Sequence, residues 1–263
     1  MSEARSAAFF AFPDRDELLG SGAPAVSVVA PVYNEAANVG ALADEIGAAL
    51  NGGEAFEMIF VDDASRDPTV EALKRARETW PQLRILRHGR NAGQSRALRT
   101  GALAARAPIV VTLDGDGQND PADIPGLLEQ LLREDAPCDL AMVAGERRAR
   151  RDSAAKRMAS RIANGVRRRL LDDGAADTGC GLKAFYREAF LRAPYFDHMH
   201  RYLPALFRRE GFGVEFRPVN HRPRRAGVSK YSNLGRLAVA FRDLLGVIWL
   251  RDRARDPVAI EEE

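Results

Sequence analysis

Two cysteines, Cys138 and Cys180, and four histidines in 263 residues exclude a disulfide scaffold and leave few ligands for a zinc centre. A reducing compartment is the expectation. Aromatic residues make up only 7%. That is sparse for base stacking, and no RNA- or DNA-recognition motif accompanies it, so nucleic acid is not an expected partner. No apolar run approaches the roughly 18 residues of a spanning helix. Met1 to Phe12 carries a short apolar patch that meets Pro13-Asp14-Arg15-Asp16, too short and too quickly acidic for a signal peptide. Both glycine signatures for phosphates are missing: no G-x-G-x-x-G follows the first apolar run, and no G-x-x-x-x-G-K-[ST] occurs anywhere. Internal repeats and low-complexity tracts are absent too. What remains is 46% hydrophobic and 29% charged, enough to bury a full core and to exclude disorder as the main state.

The formal net charge of +2 hides an asymmetry. Residues 1–143 hold 13 Lys/Arg against 22 Asp/Glu, and residues 144–263 hold 26 against 15. An acidic half joined to a basic half suggests a metal held by one and an anionic partner met by the other. Solvated helix faces are the plainer reading of the basic half.

Residues 1–23 read as a flexible arm. Ala25 to Ala30 is a buried parallel strand ended by Pro31, with Asn34 capping a helix over 36–50. Phe56 to Val61 is the second strand, and Pro68 opens a helix through Thr79. Leu83–Arg87, Ile109–Leu113 and Leu140–Ala144 are further strands, with helices over 95–107 and 124–133 between them. This alternation predicts an α/β fold, a doubly wound, mostly parallel sheet with helices on both faces. Beyond 144 a long basic helix over 153–171, a glycine-rich turn, further helices and a basic Pro-containing stretch are expected. An amphipathic helix over 233–250 and a disordered tail over 251–263 close the chain.

Ligands of such sheets bind outside the carboxyl ends of the strands. Three polar clusters fall there: Tyr33-Asn34-Glu35, Asp62-Asp63 and Asp114-Gly115-Asp116. Asp114 and Asp116, two apart just past a strand, can aim at one cation once the strand yields to a turn, and Gln118 adds a carbonyl. Hard oxygen donors select Mg²⁺ or Mn²⁺ bridging a diphosphate. An Asp/Gly turn that merely closes the strand is the alternative. Asp62 and Asp63 can accept hydrogen bonds from a nucleotide base or ribose, while Asp67 caps the next helix.

These residues resemble a family. Pro31-Val32-Tyr33-Asn34-Glu35, Val61-Asp62-Asp63-Ala64-Ser65-Arg66-Asp67 and Leu113-Asp114-Gly115-Asp116 look like the nucleotide-sugar motifs of family 2 inverting glycosyltransferases with the GT-A fold. Asp177-Thr178-Gly179-Cys180-Gly181-Leu182-Lys183 and Arg224-Arg225-Ala226-Gly227-Val228-Ser229-Lys230 resemble segments of its polyprenyl-phosphate branch, which includes dolichol-phosphate mannosyltransferases. The resemblance spans roughly residues 24–250. It implies a GT-A domain over 24–232, with a nucleotide-sugar and metal half over 24–143 and an acceptor half over 144–232. By the same resemblance Pro31, Tyr33, Glu35, Asp62, Asp63 and Asp114 line the nucleotide sugar, and Asp114, Asp116 and Gln118 gather the metal. Arg147, Lys156, Arg157 and Ser160 bind the acceptor phosphate. Arg224, Ser229 and Lys230 sit on a loop closing over the diphosphate, and Asp116, Arg147 and Arg224 carry catalysis.

The chemistry agrees independently. A lipid phosphate is already anionic at neutral pH, so its attack on an anomeric carbon needs charge neutralisation more than a general base. The expected function is metal-dependent transfer from a UDP- or GDP-sugar to a membrane polyprenyl phosphate; extension of a polysaccharide or another glycan acceptor is the alternative. Leu234, Leu237, Phe241, Leu244, Leu245 and Ile248 recur at three/four spacing beside Trp249, with Arg236, Arg242, Arg251 and Arg253 among them. That pattern fits a helix lying in the membrane interface, on the cytoplasmic face where nucleotide sugars are made. A core helix, a homo-oligomer contact or a membrane-protein partner would use the same stripe.

Overall fold

A computed structural model describes residues 24–53, 55–147, 170–171, 173–175, 177, 179–223 and 233–254, with backbone alone over 233–238. Lys156, Arg157, Ser160, Arg224, Ser229 and Lys230 lie outside the described residues, as do the arm over 1–23, the basic helix up to residue 169 and the tail from 255.

The first half builds as its alternation predicts. β1 (Val26–Val32), β2 (Phe56–Asp62), β3 (Leu83–Arg87), β4 (Ile109–Thr112) and β5 (Leu140–Arg147) alternate with α1 (Val39–Leu50), α2 (Thr69–Thr79), α3 (Gln94–Ala104) and α4 (Ile124–Leu131). The β1 and β4 segments are apolar throughout except for Ser27 and Thr112, the signature of strands covered on both faces. Then come β6 (Lys183–Tyr186), α5 (Arg187–Arg192), α6 (Leu203–Arg209), β7 (Gly213–Val219) and α7 (Asn233–Asp252). The seven strands order β3-β2-β1-β4-β6-β5-β7. β6 runs antiparallel to both neighbours, and the described pairs elsewhere are parallel. The second half is therefore threaded into the sheet of the first.

Several expectations are corrected. Pro31 does not end β1, which runs to Val32. The Leu113 N–H donates to the Val29 carbonyl, so residue 29 faces β4 and residue 31 faces the same way. β4 stops opposite Val29, so the missing N–H of Pro31 costs no ladder bond. Asn34 is not a helix cap. It sits at φ 53°, and its carboxamide oxygen accepts from the backbone of Arg66 across the loop, while α1 starts only at Val39. β6 and β7 were not expected as strands. β6 has four residues, too few to show a period, and β7 mixes Val214, Phe216 and Val219 with Glu215 and Arg217. β5 also runs three residues beyond Ala144, which carries Arg147 to its end.

The core lies against both faces of this sheet. Phe185 stacks on Phe190 with centroids 5.1 Å apart and meets Phe207 edge-on at 5.8 Å. Gly101 shows how closely α3 is laid on the sheet: a Cβ there would run into Val29 and come within 3.3 Å of Val61 Cγ2. Gly101→Ala is expected to destabilise the protein by about 1–3 kcal/mol through overpacking. That should lower the melting temperature by roughly 2–4 °C per kcal/mol. An unchanged melting temperature would refute the tight packing.

Candidate active site

The first two loops at the carboxyl end of the sheet are clasped together. The Asn34 N–H donates to Ser65 Oγ (2.8 Å), Glu35 N–H to Thr69 Oγ1 (2.9 Å) and Ala36 N–H to Asp67 Oδ2 (3.2 Å). Asp67 also accepts from the Thr69 N–H at the start of α2, the capping role expected of it. Pro31, Tyr33 and Glu35 sit half-buried at this seam.

Asp62 and Asp63 are buried, and their carboxylates have partners within the chain. Asp62 accepts from the Ser65 N–H and pairs with Arg87 at 3.2 Å. Asp63 Oδ1 accepts from the Ala92 N–H and lies 2.7 Å from His88 Nδ1, and Oδ2 accepts from the Gly93 N–H. Asp63 thus shapes the loop that leads from β3 into α3. That loop delivers Gln94, whose Nε2 donates to Asp114 Oδ1 at 2.7 Å, and Ser95, whose Oγ lies 2.7 Å from His200 Nδ1. Burial drives the His200 pKa down to about 3, so this imidazole is neutral.

Asp114 follows β4 after Leu113. Its backbone N–H is held by Asn119 Oδ1, and the Asp116 carboxylate accepts from the Gln118 N–H, so the turn folds both carboxylates to one side. Two glycines make this possible. Gly117 adopts φ 72°, and a Cβ on Gly115 would come within 2.8 Å of the Pro31 carbonyl. Burial, with the Asp116 charge next, raises the Asp114 pKa to about 6. Two like charges held together in a half-buried turn favour a cation between them. Among the described residues no group of three or more acidic, His or Cys side chains is placed to cage a metal alone. Two carboxylates and the Gln118 side-chain carbonyl instead fit an ion that takes its other ligands from phosphates and water, the habit of Mg²⁺.

The opposite wall is the Gly179-Cys180-Gly181 turn into β6. Thr112 Oγ1 donates to the Gly181 carbonyl at 2.8 Å. A Cβ on Gly181 would lie 2.5 Å from the Asp114 carboxylate, and one on Gly179 would lie 2.9 Å from Arg147 Nη2. One stretch of bare backbone thus touches both Asp114 and Arg147. The Arg147 guanidinium makes a bidentate pair with Asp177, through Nε and through Nη2 at 2.7 Å. Sequence reasoning gave Asp177 no role of its own. It also missed Gln94, though the polar Asn91-Ala92-Gly93-Gln94 run at the end of the third strand was a signal of the same kind as the other three.

The Arg222 N–H donates to the Gln118 carbonyl, His221 bridges Asn119, and the Arg222 side chain pairs with Glu45 and Asp120. The chain is thereby pinned beside the Asp114 turn two residues before Arg224. The structure brings together Asp114, Asp116, Gln118 and Arg147, places Tyr33, Glu35, Asp62 and Asp63 on the neighbouring loops, and leaves the other basic residues undescribed.

Comparison with known proteins places the chain in a family. The glycosyl transferase family 2 pattern matches residues 27–192. Dodecaprenyl-phosphate galacturonate synthase of Rhizobium johnstonii is 34% identical over 88% of this chain and 68% of its own length. Undecaprenyl-phosphate 4-deoxy-4-formamido-L-arabinose transferase of Edwardsiella ictaluri is 36% identical over 78% of this chain and 62% of its own. The chain thus spans about two thirds of the length of these curated relatives. Among solved structures, glucosyl-3-phosphoglycerate synthase of Mycobacterium tuberculosis, in complex with Mn²⁺, UDP and glucosyl-3-phosphoglycerate, superposes with a TM-score of 0.66. It is 20% identical and covers 91% of this chain and 84% of that one. Sequence pattern, sheet topology and the loops at its carboxyl end concur: the chain belongs to glycosyl transferase family 2 and has the GT-A fold.

Proposed function

We propose that this glycosyltransferase domain moves a sugar, with inversion, from a nucleotide-sugar donor to a membrane polyprenyl phosphate. The observation that carries the reading is the Gly179-Cys180-Gly181 turn, which packs against the carboxylate of Asp114 and the guanidinium of Arg147 at once. A donor diphosphate belongs on the carboxylate side and an acceptor anion on the guanidinium side. The relatives named for dodecaprenyl and undecaprenyl phosphates support the acceptor class. A Mg²⁺ or Mn²⁺ ion held by Asp114, Asp116 and the Gln118 side-chain carbonyl would supply charge stabilisation for the departing nucleoside diphosphate. Arg147 orients the attacking phosphate, and Lys156, Arg157 and Ser160 assist it. Arg224, Ser229 and Lys230 close over the diphosphate from the segment that Arg222 anchors. Pro31, Tyr33, Glu35, Asp62 and Asp63 shape the nucleotide side. The test is a panel of UDP- and GDP-sugars offered with undecaprenyl phosphate in detergent. A sugar-phospholipid product is expected, and transfer to sugar hydroxyls alone would overturn the reading.

The acceptor's chain stays in a bilayer, so the site works at a membrane surface, on the inner face of the cytoplasmic membrane in this proposal. No helix among the described residues is long and apolar enough to cross a membrane. α7 offers a different contact. One side packs on the core through Val247, Leu244, Ile248 and Leu250, and is fixed where Tyr202 Oη donates to the Ala240 carbonyl at 3.0 Å. On the other side Phe241, Leu245 and Trp249, four residues apart, are 63%, 52% and 59% exposed beside Arg242 and Arg253. Aromatic and basic residues on one exposed stripe suit the headgroup region of anionic lipid. Phe241→Asp or Trp249→Asp is expected to weaken binding to phosphatidylglycerol vesicles about tenfold or more, given about 1.5–3 kcal/mol per fully buried large apolar side chain. Salt should weaken it as well. Unaltered vesicle binding in both variants would remove the helix from the membrane contact.

A further inference from the structure

The chain holds 39 Lys and Arg residues, and only Lys74, Lys156, Lys183 and Lys230 are lysines. Lys183 opens β6, where it pairs with Thr112 of β4 and Ala144 of β5. Asp114 lies two residues beyond Thr112, and Arg147 three beyond Ala144. The register therefore seats Lys183 between the strand that delivers the first metal-site carboxylate and the strand that delivers the acceptor-side guanidinium. It is 4% exposed. An ammonium carries three N–H donors and no acceptor. Among the described residues it donates to a single partner, the Cys180 carbonyl of the turn that both Asp114 and Arg147 touch. Burial opposes its charge, while Cys180, Asp114 and Asp177 favour it and Arg147 opposes it. A buried cation with two N–H donors that lack an acceptor among the described residues is costly, and a further anion beside it would offset that cost.

We propose that Lys183 is a ligand-contacting residue, whose two remaining N–H groups take a phosphate oxygen where donor diphosphate and acceptor phosphate meet above the Gly179-Cys180-Gly181 turn. This rests on the function proposed above. The chemistry fits a lysine: a compact ammonium can rotate among several anionic oxygens in a closed space, where a planar guanidinium cannot.

With only four lysines, side-chain signals of lysine-labelled full-length protein are few. Lys183 is identified as the signal that persists in Lys74→Arg, Lys156→Arg and Lys230→Arg, so no change at 183 is needed. UDP with Mg²⁺, GDP with Mg²⁺ and geranyl phosphate are added separately, with calorimetry on the same samples to record binding. A shift of the Lys183 signal with either nucleotide and Mg²⁺ assigns the contact to the donor diphosphate, and one with geranyl phosphate assigns it to the acceptor. In support, Lys183→Met should bind that same probe at least tenfold more weakly, with no loss of melting temperature. If calorimetry records binding while the Lys183 signal stays still, Lys183 belongs to the fold alone and the functional reading stands. If neither UDP, GDP nor geranyl phosphate binds, the functional reading falls, and this inference with it.

Discussion

Asp116→Ala is expected to lower kcat/KM by roughly 10²–10³-fold or more, the scale of losing one preorganised electrostatic contact to a developing charge. Its melting temperature should hardly change. Asp116 accepts a turn hydrogen bond from the Gln118 N–H, and its charge works against that of Asp114. Removing it relieves repulsion as it removes a ligand. The same coupling sets a pH dependence. The folded Asp114 pKa lies near 6, above the ordinary 3.8, because burial and then Asp116 disfavour the carboxylate. A raised acid means that this group favours folding most below pH 3.8 and loses that contribution as pH rises through about 6 in the metal-free protein. A cation must displace the proton, so Mn²⁺ affinity should fall roughly tenfold between neutral pH and pH 5. Titration of Mn²⁺ by electron paramagnetic resonance measures this directly. Full turnover after chelation, or in Asp116→Ala, would remove the metal from the reading.

The Asp114–Asp116 turn was legible in the sequence because it is local. Asp114 and Asp116 are two residues apart at the end of an apolar strand, and a turn rich in glycine can do little else with them. The surroundings of Arg147 are not local. Arg147 meets Asp177 across 30 residues, and both meet the Gly179-Cys180-Gly181 turn only because β6 enters the sheet between β4 and β5 in the reverse direction. A four-residue strand holding a lysine gives no periodic signal, so neither its direction nor its neighbours can be read from composition. The roles of Asp62 and Asp63 show a related limit. Acidic residues at a strand end suggest a ligand, yet the backbone N–H groups of the next loop compete for the same oxygens. Here Ala92 and Gly93 occupy both oxygens of Asp63. The sequence marked the right place, and only the fold shows that Asp63 organises the loop carrying Gln94 to Asp114.

The charge asymmetry acquires a physical meaning from the same topology. The boundary between the acidic and basic halves falls within β5, and β4, which leads into Asp114, is separated from β5 in the sheet by one strand, β6. Carboxylates that suit a cation and cations that suit a phosphate therefore face each other across a few ångströms of backbone rather than across two domains. Donor and acceptor are both anionic and repel in water. Opposed fields fixed in the protein offset that repulsion without reorganising at the moment of transfer.

Arg147→Ala carries the second large effect. The Arg147 and Asp177 side chains are 12% and 14% exposed, so their pair is largely shielded from solvent. Nε and Nη2 are turned to Asp177, and Nη1 remains to reach a phosphate oxygen. Loss of one charge-assisted phosphate contact costs about 1.5–3 kcal/mol, roughly 10- to 150-fold in kcat/KM for the lipid acceptor. The donor KM should be little altered. Alanine also removes the bidentate partner of the shielded Asp177 carboxylate, which keeps the Gly179 N–H, so part of the effect will appear as a lower melting temperature. Asp177→Asn separates the two contributions. It keeps one oxygen for the guanidinium and removes the charge, so the fold should tolerate it while Arg147 loses its fixed orientation. For Asp177→Asn we expect a raised acceptor KM, an unchanged donor KM and a melting temperature close to that of the parent. If instead both variants lose stability with acceptor kinetics intact, the pair serves the sheet edge, and the phosphate site must lie with Lys156 and Arg157 alone.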